Sequence, residues 1–221
     1  MTTFAIIGAG HGLGASVARR FGTEGFDVAL IARDSGRLDG LAAQLTAEGI
    51  NARGYSADVR EPASLTAALD RAAQDLGPIE VLQYSPLPAK QFLRPVLETT
   101  ATDLAAAIEF SVYGPLTAVR HALPGMRRLG HGTVLFINGG SAVRPNPRYA
   151  GTSIAFAGES ALAQMLHDTL EPENIHVAQL IISGAITPGH PRTDPAALAD
   201  TLWQLHTHRD GFRHAADDRD A

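Results

Sequence analysis

Four glycines near the N-terminus have the types and spacing of an anion-binding turn. The turn, residues 8–14, follows an apolar run at residues 4–7 that predicts a buried strand, and it precedes apolar residues at helical spacing from Ala15 onward. Glycine lets the backbone approach a pyrophosphate, and the N–H groups and dipole of a helix N-terminus face its charge. The pattern favours dinucleotide binding over a glycine-rich loop without a ligand. The turn residues expected to bind the dinucleotide are Gly8, Gly10, His11, Gly12, Leu13 and Gly14.

Candidate proton-transfer groups follow the predicted strands further along the chain. Tyr84 ends one apolar strand, Ser141 follows another, and Tyr149 lies in the polar loop before the next helix. A phenol or hydroxyl at the carboxyl end of a parallel sheet can donate a proton to a ligand in the crevice there. We therefore take these three as candidate catalytic residues, with Tyr84 expected to line the pocket. An ordinary loop residue is the alternative for Tyr149.

The histidines do not predict a metal site. His206 and His208 are two residues apart near a helix end and point in different directions, and no carboxylate lies at matching spacing to them or to His214. The chain has no cysteine, which excludes thiolate catalysis and a cysteine-based zinc site. We expect no metal, and interpret these histidines as structural or surface residues.

Strands and helices alternate roughly every 25 to 30 residues, the rhythm of a parallel sheet with crossover helices. The sequence predicts an α/β fold: a single-domain, Rossmann-type, doubly wound parallel sheet with helices on both faces, over residues 1–216, and a frayed acidic tail at 217–221. Strands are predicted at residues 4–7, 26–33, 51–59, 79–83, 133–138, 175–182 and, at most as a short strand, 212–216. Helices are predicted from residue 15 and at 37–49, 62–76, 102–128, 153–170 and 195–206, and Gly114-Pro115 should bend the helix at 102–128.

Composition limits the possible partners. A chain of 221 residues with 45% hydrophobic residues can build one well-cored α/β domain but no separate substrate domain. The net charge of −5, with scattered basic residues, argues against nucleic acid or a membrane surface as a partner. No apolar run has transmembrane length, and the first strand follows Met1 without a signal peptide. We expect a cytoplasmic protein with a small-molecule substrate.

Arg33 indicates which dinucleotide is bound. It ends the second predicted strand, where an acidic residue would bind the 2′-hydroxyl of the adenosine ribose and an arginine would accommodate a 2′-phosphate. The strand ends in Ala32-Arg33 without such an acid, which favours NADP(H) over NAD(H). A solvated arginine at the start of a loop is the alternative.

Over essentially its whole length the chain resembles the short-chain dehydrogenase/reductase superfamily. The resemblance rests on Gly8-x-x-x-Gly12-x-Gly14, on Asp58-Val59 after the third strand and on Arg33. It implies an NADP(H)-binding oxidoreductase in which Asp58 and Val59 contact the adenine, although Asp58 could be only a turn residue before a helix. It also implies a homodimer or homotetramer formed by the two long helices, with a buried helix pair in a monomer as the alternative.

The catalytic half of the family pattern is missing. The family uses a tyrosine and, four residues later, a lysine, but the only lysine here is Lys90, and Pro86 precedes it by four. Aligning the helix at 153–170 with the family's helix puts Glu159 at the lysine position, where it could bind the nicotinamide ribose or be a solvated residue. Other family positions also differ in this chain. Ala155 occupies the tyrosine position, Gly139 or Ser141 the serine position, and Ser111 the position of the relay asparagine. Tyr84-Ser85-Pro86 replaces Asn-Ala-Gly, and we expect Ser85 to bind the cofactor.

Three functional hypotheses follow. The first is an NADP(H)-dependent oxidoreductase with a non-standard proton donor or a bound water. The second is a catalytically degenerate protein that binds NADP(H) as a sensor or partner. The third is a lyase, isomerase or cyclase on the same fold. Retention of the glycine turn and Arg33 argues for nucleotide binding in each case, and the oxidoreductase ranks first.

Overall fold

The computed structural model describes residues 1–216, in which seven parallel strands form one sheet with helices on both faces. The expected acidic tail, residues 217–221, lies outside the described residues. The strand order is β3-β2-β1-β4-β5-β6-β7. The strands are β1 (Thr3–Ile7), β2 (Asp27–Ala32), β3 (Ala52–Ser56), β4 (Ile79–Tyr84), β5 (Gly132–Gly139), β6 (Ile175–Ile182) and β7 (Arg213–Ala215).

Each strand is followed by a crossover that returns the chain to the same end of the sheet. The helices are α1 (Leu13–Thr23), α2 (Ser35–Ala47), α3 (Pro62–Leu76), α4 (Ala101–Ile108), α5 (Gly114–Leu129), α6 (Ala150–Leu170) and α7 (Pro195–His208). Several begin with recognisable caps: Asp34 accepts from Arg37 N, and Thr100 and Asp103 form a reciprocal capping box. The predicted doubly wound parallel sheet is confirmed.

The sheet separates two hydrophobic cores. On one face α1, α2 and α7 cover the central strands around Phe4, Phe21 and Leu202. On the other face α3, α5 and α6 pack around Leu65, Val119 and Ala163. Strands covered on both faces are apolar almost throughout, which explains why the sequence shows short apolar runs and not a strict alternation.

The predicted long helix at 102–128 is divided into two. A wider π-helical turn, Glu109–Tyr113, joins α4 to α5, and Pro115 follows it within the first turn of α5. Such turns occur mostly where one extra residue is inserted in a helix, often at functional sites. Here the insertion places the buried Ser111 against α6, in the region of the sheet's carboxyl end.

The crossing point of the topology lies between β1 and β4, which pair in register from Phe4 to Ile7 although they are far apart in sequence. The chain winds outward from here in both directions, through β2 and β3 on one side and β5 to β7 on the other. A crevice opens outside the carboxyl ends of strands at such a point. The loops after β1, β4, β5 and β6 meet there.

Candidate functional site

The glycine turn lies in this crevice and is held against the loop after β4. Gly8 has a φ of 95°, and a Cβ built on it would lie 2.5 Å from the backbone of Pro86. Its N–H donates to Ile31 O of β2 at 2.8 Å. Only glycine meets both the left-handed φ and the close approach of the two backbones.

The next glycines border open space. Cβ atoms built on Gly10 and Gly12 would have no neighbour within 4 Å, whereas one on Gly14 would lie 3.2 Å from Ala9 Cα inside the helix packing. Helix α1 begins directly after Gly12, with no side chain capping it and no acidic residue in its first turn. An uncapped helix N-terminus beside an open glycine face suits the diphosphate of a dinucleotide.

One cavity, of about 720 Å³, extends from the glycine turn toward the ends of β2 and β3. Arg33 and Arg37 line it, together with the exposed His11 and the apolar Val59. Arg37 pairs with Asp34 (Nε to Oδ2, 3.3 Å), whereas the guanidinium of Arg33 has no ion pair within residues 1–216. The free guanidinium at the end of β2 is where the sequence predicted contact with a 2′-phosphate.

Asp58 and Val59, predicted together as adenine contacts, differ in position. Val59 lines the 720 Å³ cavity, but Asp58 does not. The Asp58 carboxylate accepts from Arg60 N at 3.0 Å, and its own N–H lies 3.4 Å from Ser64 Oγ. Asp58 therefore shapes the turn before α3, the alternative left open by the sequence.

A second cavity, of about 570 Å³, lies on the other side of the glycine turn, over the ends of β4, β5 and β6. Its side-chain lining is apolar except for Ser85 and Asn138, and no acidic, basic or phenolic residue lines it. Its apolar side chains come from Leu13, Leu87, Ile137, Phe156, Ile182 and Ile186, with four prolines around them. The wall can hold an uncharged, largely apolar group.

Tyr84 does not line either cavity, contrary to the expectation from its place at a strand end. The residue is 1% exposed, and its hydroxyl donates to Phe110 O inside the core. The hydroxyl occupies the space that a side chain at Gly114 would need. Burial raises the Tyr84 pKa well above its ordinary value, with the nearby Glu159 and Asp58 carboxylates acting in the same direction. Tyr84 is thus placed as a core residue that a ligand cannot reach.

The other two candidate proton donors also lie outside the lining of both cavities. Ser141 is half-buried in a short 3-10 turn, Gly140–Ala142, directly after β5. Tyr149 is 41% exposed and precedes α6, its N–H donating to Asn146 O at 3.0 Å. The structure does not bring the three candidates together at one point.

Helix α6 contacts the crevice through Phe156, which the sequence analysis missed. The helix begins at Ala150, three residues before the predicted start, and the residue that lines the 570 Å³ cavity lies about one turn before Glu159. Glu159, which the alignment with the family's helix placed beneath the nicotinamide ribose, is 2% exposed and lines neither cavity. Residues three apart share a helix face, so the large apolar Phe156 on the face of Glu159 was the available signal.

Glu159 belongs to a buried polar network behind the cavity wall. Burial raises the pKa of its carboxyl group to about 8, and the neighbouring polar groups of Asn138 and Ser111 act in the opposite direction. The Oδ1 atom of Asn138 accepts from Gln179 Nε2 at 2.8 Å. Gln179 Oε1 in turn accepts from Arg213 Nε at 2.9 Å. The network runs from the edge strand β7 to the crevice.

Ser85 is the other polar residue of the apolar cavity. Gln83, fully buried on β4, donates from Nε2 to Ser85 Oγ at 2.8 Å. The Ser85 hydroxyl has one further acceptor, Ile7 O, at the long distance of 3.4 Å. The Ser85 oxygen therefore accepts one good hydrogen bond, whereas the Ser85 proton makes only a weak one.

The sequence predicts neither a metal site nor a membrane span. Within residues 1–216 no three His, Asp or Glu side chains come together as a metal site, and no helix is long and apolar enough to cross a membrane. His206 is half-buried, with Nδ1 2.9 Å from Thr133 Oγ1, and burial lowers its pKa to about 4. His208 and His214 contact only backbone oxygens of their own segments.

The fold is a doubly wound α/β sheet with a crevice at the carboxyl ends of its strands. Residues 2–197 match the family model of the short chain dehydrogenases, and the chain belongs to that family. A curated relative, the 2,3-dihydro-2,3-dihydroxybenzoate dehydrogenase of Bacillus subtilis, is 28% identical over 201 residues, which are 90% of this chain and 72% of that protein. Several other curated relatives are longer, and the chain spans 52 to 63% of their lengths.

Solved structures agree on the fold. A short-chain dehydrogenase from Rhodopseudomonas palustris superposes with a TM-score of 0.84 at 30% identity, over 97% of each chain. An NADPH-bound short chain oxidoreductase from Pseudomonas aeruginosa, described as containing an atypical catalytic center, has a TM-score of 0.85 at 18% identity, over 98% of this chain and 96% of that one. The predicted superfamily is confirmed.

Proposed function

We propose that the protein is an NADP(H)-dependent oxidoreductase whose active site lacks the tyrosine and lysine of its family. The observation that carries this is one continuous crevice: an open glycine cradle, with Arg33 at one end and an apolar cavity at the other. The NADPH bound by the P. aeruginosa structural neighbour supports the same cofactor. When bound, the nicotinamide supplies hydride chemistry, and the chain positions cofactor and substrate.

The preference for NADP(H) over NAD(H) rests on charge at the end of β2. Arg33 and Arg37 both line the 720 Å³ cavity. The one carboxylate beside them, Asp34, is already engaged, because it accepts from Arg37 N at 3.0 Å and pairs with the Arg37 guanidinium. A 2′-phosphate would find the unpaired guanidinium of Arg33 there, next to the Asp34–Arg37 pair, whereas a 2′-hydroxyl would find no free acidic acceptor.

The proton of the reaction comes from water in this proposal. None of the side chains that line the 570 Å³ cavity can act as an acid or base near neutral pH. Tyr84 is sealed in the core, and Ser141 and Tyr149 lie outside the cavity lining. None of these three residues therefore supplies the proton in the proposed reaction.

The same observation supports a second candidate, a protein that binds NADP(H) without redox chemistry, as a sensor or partner. Calorimetric titration with NADPH and NADH, followed by NADPH oxidation with a panel of carbonyl compounds, separates the possibilities. NADPH binding with turnover supports the oxidoreductase, and NADPH binding without any turnover supports the sensor. Failure of both nucleotides to bind would contradict both.

We also propose a homodimer or homotetramer. Three large apolar side chains are exposed in this region: Tyr113 in the π turn, and Ile154 and Met165 on α6. The π turn and α4 both pack against α6. Exposed apolar groups on adjoining helices favour burial against a second copy. Light scattering after size exclusion tests this: a mass near the 23.3 kDa of one chain would contradict it.

A further inference from the structure

The apolar cavity restricts the kind of molecule that can react there. Its volume is about 570 Å³, and Ser85 and Asn138 provide the only polar side chains among the residues that line it. At the rim, Leu87 is 88% exposed and Ile186 is 38% exposed, so apolar surface continues outward from the cavity. A charged substrate would lose its hydration there without finding a counter-charge. The part of the cavity that the nicotinamide leaves free therefore suits an uncharged, largely apolar substrate.

Of the two polar residues, only Ser85 can donate a hydrogen bond to a substrate. Asn138 is 2% exposed: its Oδ1 accepts from Gln179, and its Nδ2, although it has no hydrogen-bond partner within the described residues, is buried beneath the cavity surface. Ser85 Oγ already accepts from Gln83, and its 3.4 Å contact with Ile7 O is a weak bond to give up. The Ser85 hydroxyl can therefore donate a hydrogen bond to a ligand while its oxygen still accepts from Gln83.

A single hydroxyl donor suits some hydride acceptors better than others. Reduction of a ketone produces an alkoxide, a strong base that needs an acid at hand as it forms. Reduction of a conjugated C=C bond produces an enolate, whose charge is spread over oxygen and carbon and which is a much weaker base. One hydrogen bond can stabilise the enolate oxygen until water supplies the proton.

We propose, resting on the oxidoreductase function above, that the site reduces the C=C bond of apolar α,β-unsaturated ketones or aldehydes, with Ser85 as the donor to the carbonyl oxygen. The β-carbon accepts the hydride of NADPH and forms a C–H bond. The π electrons of the C=C bond move to give an enolate, which accepts the hydrogen bond of Ser85, and the α-carbon then takes a proton from water. Enone, NADPH and one proton yield the saturated carbonyl compound and NADP⁺.

A measurement without turnover tests the role of Ser85. The protein is saturated with NADP⁺ and titrated with 2-cyclohexenone labelled with ¹³C at the carbonyl carbon. A hydrogen bond to the carbonyl moves its NMR signal downfield on binding. We expect that shift in the wild type and in Ser85→Thr, which keeps a hydroxyl, and its loss in Ser85→Ala, with affinity about tenfold weaker. The same shift in Ser85→Ala would overturn the proposed role.

A second measurement tests the reaction. NADPH carrying deuterium at both C4 positions of the nicotinamide is supplied with a panel of apolar enones and with the matched saturated ketones, such as 2-cyclohexenone and cyclohexanone. We expect cyclohexanone with deuterium at the former β-carbon, and little reduction of the saturated ketones. Deuterium on a carbinol carbon, or no turnover of any enone, would overturn the substrate inference. Ketone reduction would leave the oxidoreductase proposal standing, whereas calorimetry showing no NADPH binding would overturn both.

Discussion

Phe156 and Glu159 lie three residues apart on α6, yet only Phe156 lines the apolar cavity. Glu159 is one turn further from the crevice, is 2% exposed, and lies beside Asn138 and Ser111. The helix therefore presents an aromatic ring to the ligand and keeps its carboxyl group in the protein interior. A carboxyl group in such surroundings affects stability more than binding.

Replacing Glu159 by glutamine should stabilise the protein at neutral and alkaline pH. Burial raises the pKa of this carboxyl to about 8 in the folded chain, above its value in the unfolded chain. The unfolded chain releases this proton first, so the wild type loses stability as the pH rises from about 4.5 to 8. The uncharged glutamine removes that loss, about 3 kcal/mol at pH 7 as an order of magnitude. Urea denaturation between pH 4.5 and 9 measures it.

NADPH affinity gives an independent readout for the same variant. Since Glu159 lines neither cavity, Glu159→Gln should bind NADPH within about twofold of the wild type. Glu171→Gln, at an exposed position just after α6, controls for the removal of a carboxylate. A large loss of NADPH affinity in Glu159→Gln alone would restore the ribose-binding role predicted from the sequence.

Alanine substitutions in the glycine turn should separate folding from ligand binding. Gly8→Ala should destabilise the fold, by about 2 kcal/mol or more, because φ is 95° and the new Cβ would lie 2.5 Å from Pro86. Gly10→Ala and Gly12→Ala have open space around the new Cβ, so stability should be nearly unchanged. NADPH affinity should nevertheless fall at least tenfold, roughly 1.4 kcal/mol, because the Cβ occupies the diphosphate's place.

Thermal unfolding and calorimetry on the same samples make this comparison. Gly40→Ala, on the exposed side of α2 with no neighbour within 4 Å of the new Cβ, is the matched control for both readouts. Unchanged NADPH affinity in Gly10→Ala and Gly12→Ala would show that the cradle does not bind the diphosphate.

Arg33→Ala should weaken NADPH binding selectively. A guanidinium bonded to a phosphate contributes about 1.5–3 kcal/mol, which corresponds to roughly 10- to 100-fold in affinity. NADH has no 2′-phosphate, so its affinity should change by less than about threefold. Arg53→Ala is the control, because Arg53 is an exposed arginine paired with Asp75 at 3.6 Å and lines neither cavity. Equal losses for the two nucleotides would contradict the proposed phosphate contact.

The sequence predicted the fold and the strand–glycine turn–helix arrangement at the N-terminus well because their signals are local. An apolar run, a set of glycines and a following helix lie within about fifteen residues, and α3 and β6 were predicted with the bounds that the structure shows. The helix at 102–128 was predicted with a bend at Gly114-Pro115, and α5 begins at Gly114, but the π turn before it was not predicted.

The apolar cavity could not be predicted in the same way, because its walls come from distant loops. Tyr84 was expected in the pocket from its place at a strand end, but the side chain points to the α5 side, where Gly114 leaves room for it. Phe156 was missed because the crevice contact of this helix was assigned to Glu159 by alignment with the family's helix. The start of α6 was also placed three residues late, at Ser153, because this helix has no side-chain cap to mark it.

Gln179 should be the most sensitive residue of the buried polar network. It is fully buried on β6, accepts from Ser160 Oγ and Arg213 Nε, both at 2.9 Å, and donates to Asn138 Oδ1 at 2.8 Å. Leucine has a similar size but none of these bonds. Gln179→Leu leaves the Asn138 oxygen and the Ser160 hydroxyl without that partner, at a cost of roughly 2–5 kcal/mol.

Urea denaturation with a linear extrapolation measures this cost, and the m-value should stay constant because the surface exposed on unfolding hardly changes. Gln164→Leu is the matched control: Gln164 is bonded to Asp168 on the solvent side of α6, and its loss should change stability by no more than about 0.5 kcal/mol. Equal effects of the two substitutions would mean that the network is not a stabilising element. A selective loss in Gln179→Leu would show that this buried amide, which is bonded to Arg213 on the edge strand and to Asn138 on the cavity wall, stabilises the fold.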